Sequence, residues 1–204
     1  IPELLFKISN VSLDITPNFL NVDLNKINLN SSEINSKLRA NLKNFNSIKV
    51  DNLVVSSDFI DVDKTLMILP KLEKYMSPTG EQKANQKASA KNKKATQANI
   101  PLNAQGKLNI KKLTTGKIEV NSIKSNLKIK NNDLILDSLN CHAFEGKISG
   151  EVKVNLISQL ISLKTQGQNI NAAKALEDAA NLKDAISGKT NFKTDISLKG
   201  ATLE

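Results

Sequence analysis

The chain has no tryptophan, a single tyrosine (Tyr75), a single cysteine (Cys141), a single histidine (His142) and a single arginine (Arg39) among 204 residues. A lone cysteine closes no internal disulfide, and a lone histidine builds no metal site by itself. No apolar run approaches the roughly 18 to 20 residues that span a bilayer as a helix. The eight glycines form no phosphate-binding loop. Aromatic residues make up 3% of the chain, too few to plug a large closed core with rings, while 39% apolar content is too high for a wholly disordered polypeptide. The first residue is Ile1, with neither Met nor a signal peptide, so the sequence reads as an excised segment whose final Leu203-Glu204 is an appended dipeptide.

Charge is unevenly spread. Lys plus Arg number 29 against 20 Asp plus Glu, a net +9. From Ser77 to Asn99 the sequence SPTGEQKANQKASAKNKKATQAN lacks Val, Ile, Leu and any aromatic residue. It has nothing to bury and reads as a solvated, flexible linker. Its lysines 83, 87, 91, 93 and 94 against Glu81 give it +4, nearly half of the net charge. Nucleic-acid binding would pair such lysines with arginines and stacking aromatics, and the linker has neither. No nucleic-acid partner is expected. The organisation that follows is an N-terminal β segment over 1–76 ending in a short helix, a lysine-rich linker over 77–99, and a C-terminal β segment over 100–204.

Outside the linker, apolar residues alternate with Lys, Asn, Ser or Asp, the pattern of half-exposed antiparallel strands. A finer motif, apolar-x-apolar-x-x-apolar, recurs at Val22-Leu24-Ile27, Ile48-Val50-Leu53, Leu108-Ile110-Leu113, Ile118-Val120-Ile123 and Leu134-Leu136-Leu139. A skipped residue of this kind marks a bulge or a strand end, where the next side chain turns back to the same face. Thr115-Gly116 and Asn131-Asn132-Asp133 read as turns, so the expectation is a meander of short strands. Residues 171–186 read as a helix with Asn171 as N-cap, Gly188 as stop and Leu176, Ala179, Leu182 and Ile186 on one face. A second helix is expected over 63–76, divided at Pro70, with Asp61 or Asp63 as its cap.

Such a sheet is larger than its helices. Roughly ten strands at about 4.8 Å spacing span about 48 Å, and a 16-residue helix of about 24 Å roofs half of that. Each uncovered aliphatic side chain forfeits about 1.5–3 kcal/mol, so half of the face left open forfeits more than the whole stability of a typical domain. Three covers are available: closure into a sandwich or barrel, pairing with another chain, or a half-open gutter filled by lipid tails. The alternation alone favours the sandwich.

No catalytic residue is identified. Cys141 and His142 are neighbours on a strand and point to opposite faces, which argues against a nucleophile–base pair. Asp58, Asp61 and Asp63 lack the glycine and terminal glutamate of a calcium loop. Gly146 and Gly150 are read as permitting a bulge or sharp bend as one strand leads into the next, with Phe144 as a core residue at the turn. Neither a cofactor nor a metal is expected.

In its order of motifs the chain resembles the AsmA family of Gram-negative envelope proteins. The matching stretches are Gly106-Lys107-Leu108-Asn109-Ile110-x-x-Leu113, then Gly116-x-Ile118-x-Val120-x-x-Ile123, then Leu134-x-Leu136-x-x-Leu139. Phe144-Glu145-Gly146-Lys147-Ile148-Ser149-Gly150 follows, with Glu145 where the family shows glycine, and Gly167-Gln168-Asn169-Ile170-Asn171 leads into the helix. The likeness covers about Pro101 to Thr202. It implies a mainly β fold, a highly twisted, curled antiparallel sheet forming a half-open groove with one or two short α-helices. It further implies a periplasmic module anchored to the inner membrane by an N-terminal helix that this sequence lacks. The implied function is to bind phospholipid acyl chains, contributing to lipid transport between inner and outer membranes and to outer-membrane biogenesis. The expected groove lining is Leu108, Ile110, Ile118, Val120, Leu127, Ile129, Leu134, Leu136, Ile148, Val152 and Val154. The alternative is a closed β interaction domain that binds other envelope proteins and influences outer-membrane protein assembly.

Overall fold

A computed structural model describes residues 6–29, 31–41, 48–67, 102–155, 158, 160–183 and 186–199. The alternating segments become one sheet of eleven strands, curled but not closed into a barrel. The strands are β1 (Phe6–Ile8), β2 (Val11–Ile15), β3 (Phe19–Leu29), β4 (Ser32–Asn41), β5 (Ile48–Asp61), β6 (Leu102–Thr115), β7 (Ile118–Lys130), β8 (Asp133–Ala143), β9 (Gly146–Asn155), β10 (Leu160–Asn171) and β11 (Lys189–Lys199). Among the described residues two helices join them, α1 (Val62–Leu66) and α2 (Ala172–Ala180). The spatial order is β1-β3-β4-β5-β6-β7-β8-β9-β10-β11, with β2 also on β3. Among the described residues the sandwich favoured by alternation alone is not formed.

Two expectations about the strands change. The first is length. From β3 onward the strands run continuously through the skipped residue of each motif, so two short runs fuse into one long strand. The second is direction. The meander is interrupted once, where β5 pairs parallel with β6 (Val55 beside Leu108, Ile60 beside Leu113). A parallel pair needs a long crossover, and the 62–101 connection supplies one. Its linker, 77–99, and the expected helix beyond Met67 lie outside the described residues.

The motifs coincide with the bulges. Register shifts fall at Leu24/Ile27 on β3, Val50/Leu53 on β5 and Leu136/Leu139 on β8. The residue before the third apolar position adopts the left-handed conformation at Lys26 (φ 57°), Ser122 (φ 55°) and Ser138 (φ 55°). Asn169 on β10 does the same beside the Gly167/Ile170 shift. Each such residue consumes one position without reversing the face, so Val120 and Ile123, or Leu136 and Leu139, point the same way. The amide freed at the bulge is caught by an asparagine on the next strand: Lys26 N–H donates to Asn35 Oδ1 (2.8 Å) and Asn169 N–H to Asn191 Oδ1 (2.9 Å). Bulges also bend and twist a strand, and their repetition across the sheet supplies its curl.

The helices sit at one rim. Asp61 caps α1 by accepting from Lys64 N–H (3.0 Å), and Asp63 ties α1 to the β6–β7 turn by accepting from Thr115 Oγ1 (3.0 Å) and Gly116 N–H (2.6 Å). Asn171 caps α2 through Lys174 N–H (3.1 Å), as its sequence position predicts. The helix stops at Ala180 instead of 186, because Asn181 takes the left-handed conformation (φ 56°) and its N–H returns to Glu177 O (3.0 Å) while Leu182 N–H returns to Leu176 O (3.1 Å). The return from the left-handed residue to Glu177 is an αL ending, for which asparagine is the usual substitute for glycine. Leu182 and Ile186 therefore leave the helix and are exposed.

Candidate functional site: an open apolar trough

Directly paired residues of a sheet share a face, so the register fixes which side chains lie together. One row runs Ile15, Leu20, Ala40, Val50, Ala104, Ile129, Leu134, Val154, Ile161, Leu198 from β2 to β11 without a polar member. The next row runs Leu13, Val22, Leu38, Leu53, Gly106, Leu127, Leu136, Val152, Leu163, Ile196. Both rows cross the whole sheet.

All of the expected lining residues lie on this face. Ile129, Leu134 and Val154 belong to the first row, and Leu127, Leu136 and Val152 to the second. Leu108, Ile110, Ile118, Val120 and Ile148 continue the face toward the helical rim, where Ile110, Ile123 and Cys141 form a cluster packed by Leu108, Val120 and Ile148. The sequence reading missed the N-terminal half of the surface: Leu20, Val22, Leu38, Leu53 and Val55 stand on it equally. The same spacing motif at Val22 and Ile48 was the available signal.

The face is concave. Ile110, Ile123 and Leu127 are each 7% exposed, yet no second layer of strands packs over them among the described residues. The principal helix contacts are those of α1 with β5 and β6 and of α2 with β10, next to the strand ends from which the helices start. Burial therefore comes from the sheet curling toward its apolar side. Toward the ends the cover is lost: Val11 (59%), Leu13 (58%) and Ile15 (64%) on β2 are open, as are Ile196 (43%) and Leu198 (50%) on β11. Ten strands at about 4.8 Å give the trough a length of about 45 Å. The floor midway carries the small residues Ala40, Ala104 and Gly106.

The opposite face is a polar ladder. Lys37 pairs with Asp23 (2.8 Å), Lys153 with Asp133 (2.8 Å), and Lys128 with Asp137. Hydrogen bonds from Lys153 and Asn155 hold Asp133 below the ordinary carboxylate range, and those from Lys128 and Asn126 do the same for Asp137. Ile135, which breaks the alternation, lies on this polar side between Lys128 and Lys153. Arg39 stacks over the Phe19 ring, 4.1 Å from its centroid. Asp58 pairs with Lys111 (2.9 Å).

Little chemistry gathers elsewhere. Cys141 is buried on the apolar face and its thiol is pushed up by desolvation, while His142 is exposed on the polar face. Two cavities, of 460 and 370 Å³, are surface depressions on the polar side, the second bounded by Lys117, Glu119, His142, Glu145 and Lys174. No group of three or more His, Cys, Asp or Glu able to hold a metal occurs among the described residues. Among those residues, too, no helix is long and apolar enough to cross a membrane.

The Phe144-Glu145 turn departs from expectation. The bend is made by these two residues, both left-handed (φ 49° and 62°), and not by the flanking glycines. Asn171 steadies it, donating its N–H to Phe144 O (2.9 Å) and its Nδ2 to Glu145 Oε2 (2.9 Å). Gly150 takes the bulge role of that reading: it stands opposite Leu139 at a register shift, where the Lys164 carbonyl fills the space of a Cβ.

No protein-family model, curated protein or solved structure matches the chain.

Proposed function

We propose that the protein is a non-enzymatic lipid-binding module whose curled sheet shields phospholipid acyl chains. The carrying observation is the pair of uninterrupted apolar rows on an open, concave face. Each methylene moved from water onto that surface contributes about 0.8 kcal/mol, with head groups left at the wet margin. Binding of this kind needs no directed polar contact, which suits a surface lined by aliphatic side chains. Open ends let chains enter and slide without a lid. Together with the resemblance to the AsmA family, this supports a role in phospholipid movement between inner and outer membranes, in a periplasmic protein held at the inner membrane.

Extraction and mass spectrometry of the purified chain test the reading. Phospholipid at near-stoichiometric amount is expected, with a marked fall in Val120→Lys and Ile129→Lys variants that keep the parent circular dichroism. Protein free of phospholipid after purification and after incubation with phospholipid vesicles would overturn it.

A further inference from the structure

We infer that the 370 Å³ cavity at the helical rim is a head-group site, which takes the phosphate and the primary ammonium of a phosphoethanolamine group. Lys117 and Glu119 bound it at the start of β7, His142 and Glu145 at the end of β8, and Lys174 from α2. Its volume falls at the small end of the roughly 300–1,000 Å³ usual for ligand sites. Ala143 also lines it, is buried, and pairs with Val120 on the apolar face. The cavity therefore adjoins the trough, at the margin where a bound lipid leaves its head group. The lipid form of the ligand rests on the trough reading; the head-group chemistry rests on the cavity alone.

Charge selects the ligand. Two of the four charged side chains around the cavity are already matched, Lys174 with Asp178 (3.1 Å) and Glu119 with Lys112. The other two have no ion pair among the described residues. Lys117 Nζ donates to Asn181 Oδ1 (2.9 Å), and Glu145 Oε2 accepts from Asn171 Nδ2 (2.9 Å). The asparagines at the two ends of α2 thus orient one cation and one anion without cancelling either. A zwitterion satisfies both charges, whereas a simple anion meets Lys117 and is repelled by Glu145. The ammonium is primary, because a carboxylate accepts directly from its N–H groups. A quaternary ammonium is held by an aromatic cage, and Phe144 is the one ring lining this cavity. The 460 Å³ depression lacks a free pair of opposite charges, since its Asp51 pairs with Lys49 and its Lys128 with Asp137.

Vesicles of phosphatidylethanolamine, phosphatidylcholine and phosphatidylglycerol in equal parts, with matched acyl chains, test the site when incubated with the purified chain. Lipid extracted from the protein should be enriched in phosphatidylethanolamine about threefold to fivefold, the scale of one exposed ion pair. Glu145→Gln should abolish that preference over phosphatidylcholine while total lipid is kept. A second arm uses soluble glycerophosphoethanolamine, which should shift the amide resonances of His142 and Glu145. Lys117→Gln should weaken this binding about fivefold, and Lys130→Gln, at the far end of β7, should change neither readout. Equal retention of the three lipids, enrichment of phosphatidylglycerol, a preference that survives Glu145→Gln, or a soluble head group that moves no rim amide would each overturn the proposal. Lipid bound without head-group preference would leave the trough reading intact, and rim shifts with the soluble head group in a chain that retains no lipid would do the reverse.

Discussion

The carbonyl of Leu53 occupies the place where a Cβ on Gly106 would stand. These two residues face each other across the single parallel pair, immediately after the register shift of β5. The bulge drives the neighbouring backbones together, and only glycine fits.

Gly106→Ala is therefore expected to destabilise the fold by about 1–3 kcal/mol, the cost of forcing extra volume into a packed site. Gly116 provides the contrast. It is left-handed (φ 55°) with open space around it, so Gly116→Ala should cost only about 1 kcal/mol in conformational strain. Urea unfolding of both variants checks the order, and equal losses would remove the close-approach account.

The left-handed bulge residue is testable at Ser138, which is exposed and so contributes little packing. Ser138→Gly should be neutral or stabilise by up to about 1 kcal/mol, while Ser138→Val, β-branched, should destabilise by about 1–2 kcal/mol. In an ordinary strand the preference would run the other way.

Asn171 joins α2 to the Phe144-Glu145 turn and caps the helix. Asn171→Ala should cost about 1–2 kcal/mol from the cap and exceed Asn181→Ala in its effect on the melting temperature. Asn171→Asp keeps the cap while losing the amide donor to Glu145, so it should fall between parent and alanine variant.

Acid should weaken the polar ladder in a defined window. The folded values of Asp133 and Asp137 lie below 3.8, so their stabilisation is complete above that value and fades as pH falls through the folded ones. Asp137→Asn should melt earlier than the parent at neutral pH, with the difference closing as the pH falls through the lowered folded value of Asp137. A constant difference across the titration would contradict the pairing with Lys128.

Much of this architecture was legible from residue spacing. Alternation at Leu127/Ile129 and Leu134/Leu136 gave the strands their faces, and the skip before Ile123 and Leu139 gave the bulges. The end of α2 was not legible, because Asn181 and Gly188 both qualify as stops and only the backbone returns at Leu176 and Glu177 decide between them. Nor was the parallel pairing of β5 with β6, since Val55 beside Leu108 reads the same in either direction. The openness of the trough is a global property: each strand looks as it would inside a sandwich, and the absence of a second layer among the described residues is written in no single one of them.

Photoreactive side chains placed one at a time along β7 address the trough most directly. Introduced at 127 and 129, on the apolar face, they should capture phospholipid, and at 126 and 128, on the polar face, they should not. Lipid adducts that ignore this alternation, or that form at none of the four positions, would contradict the account.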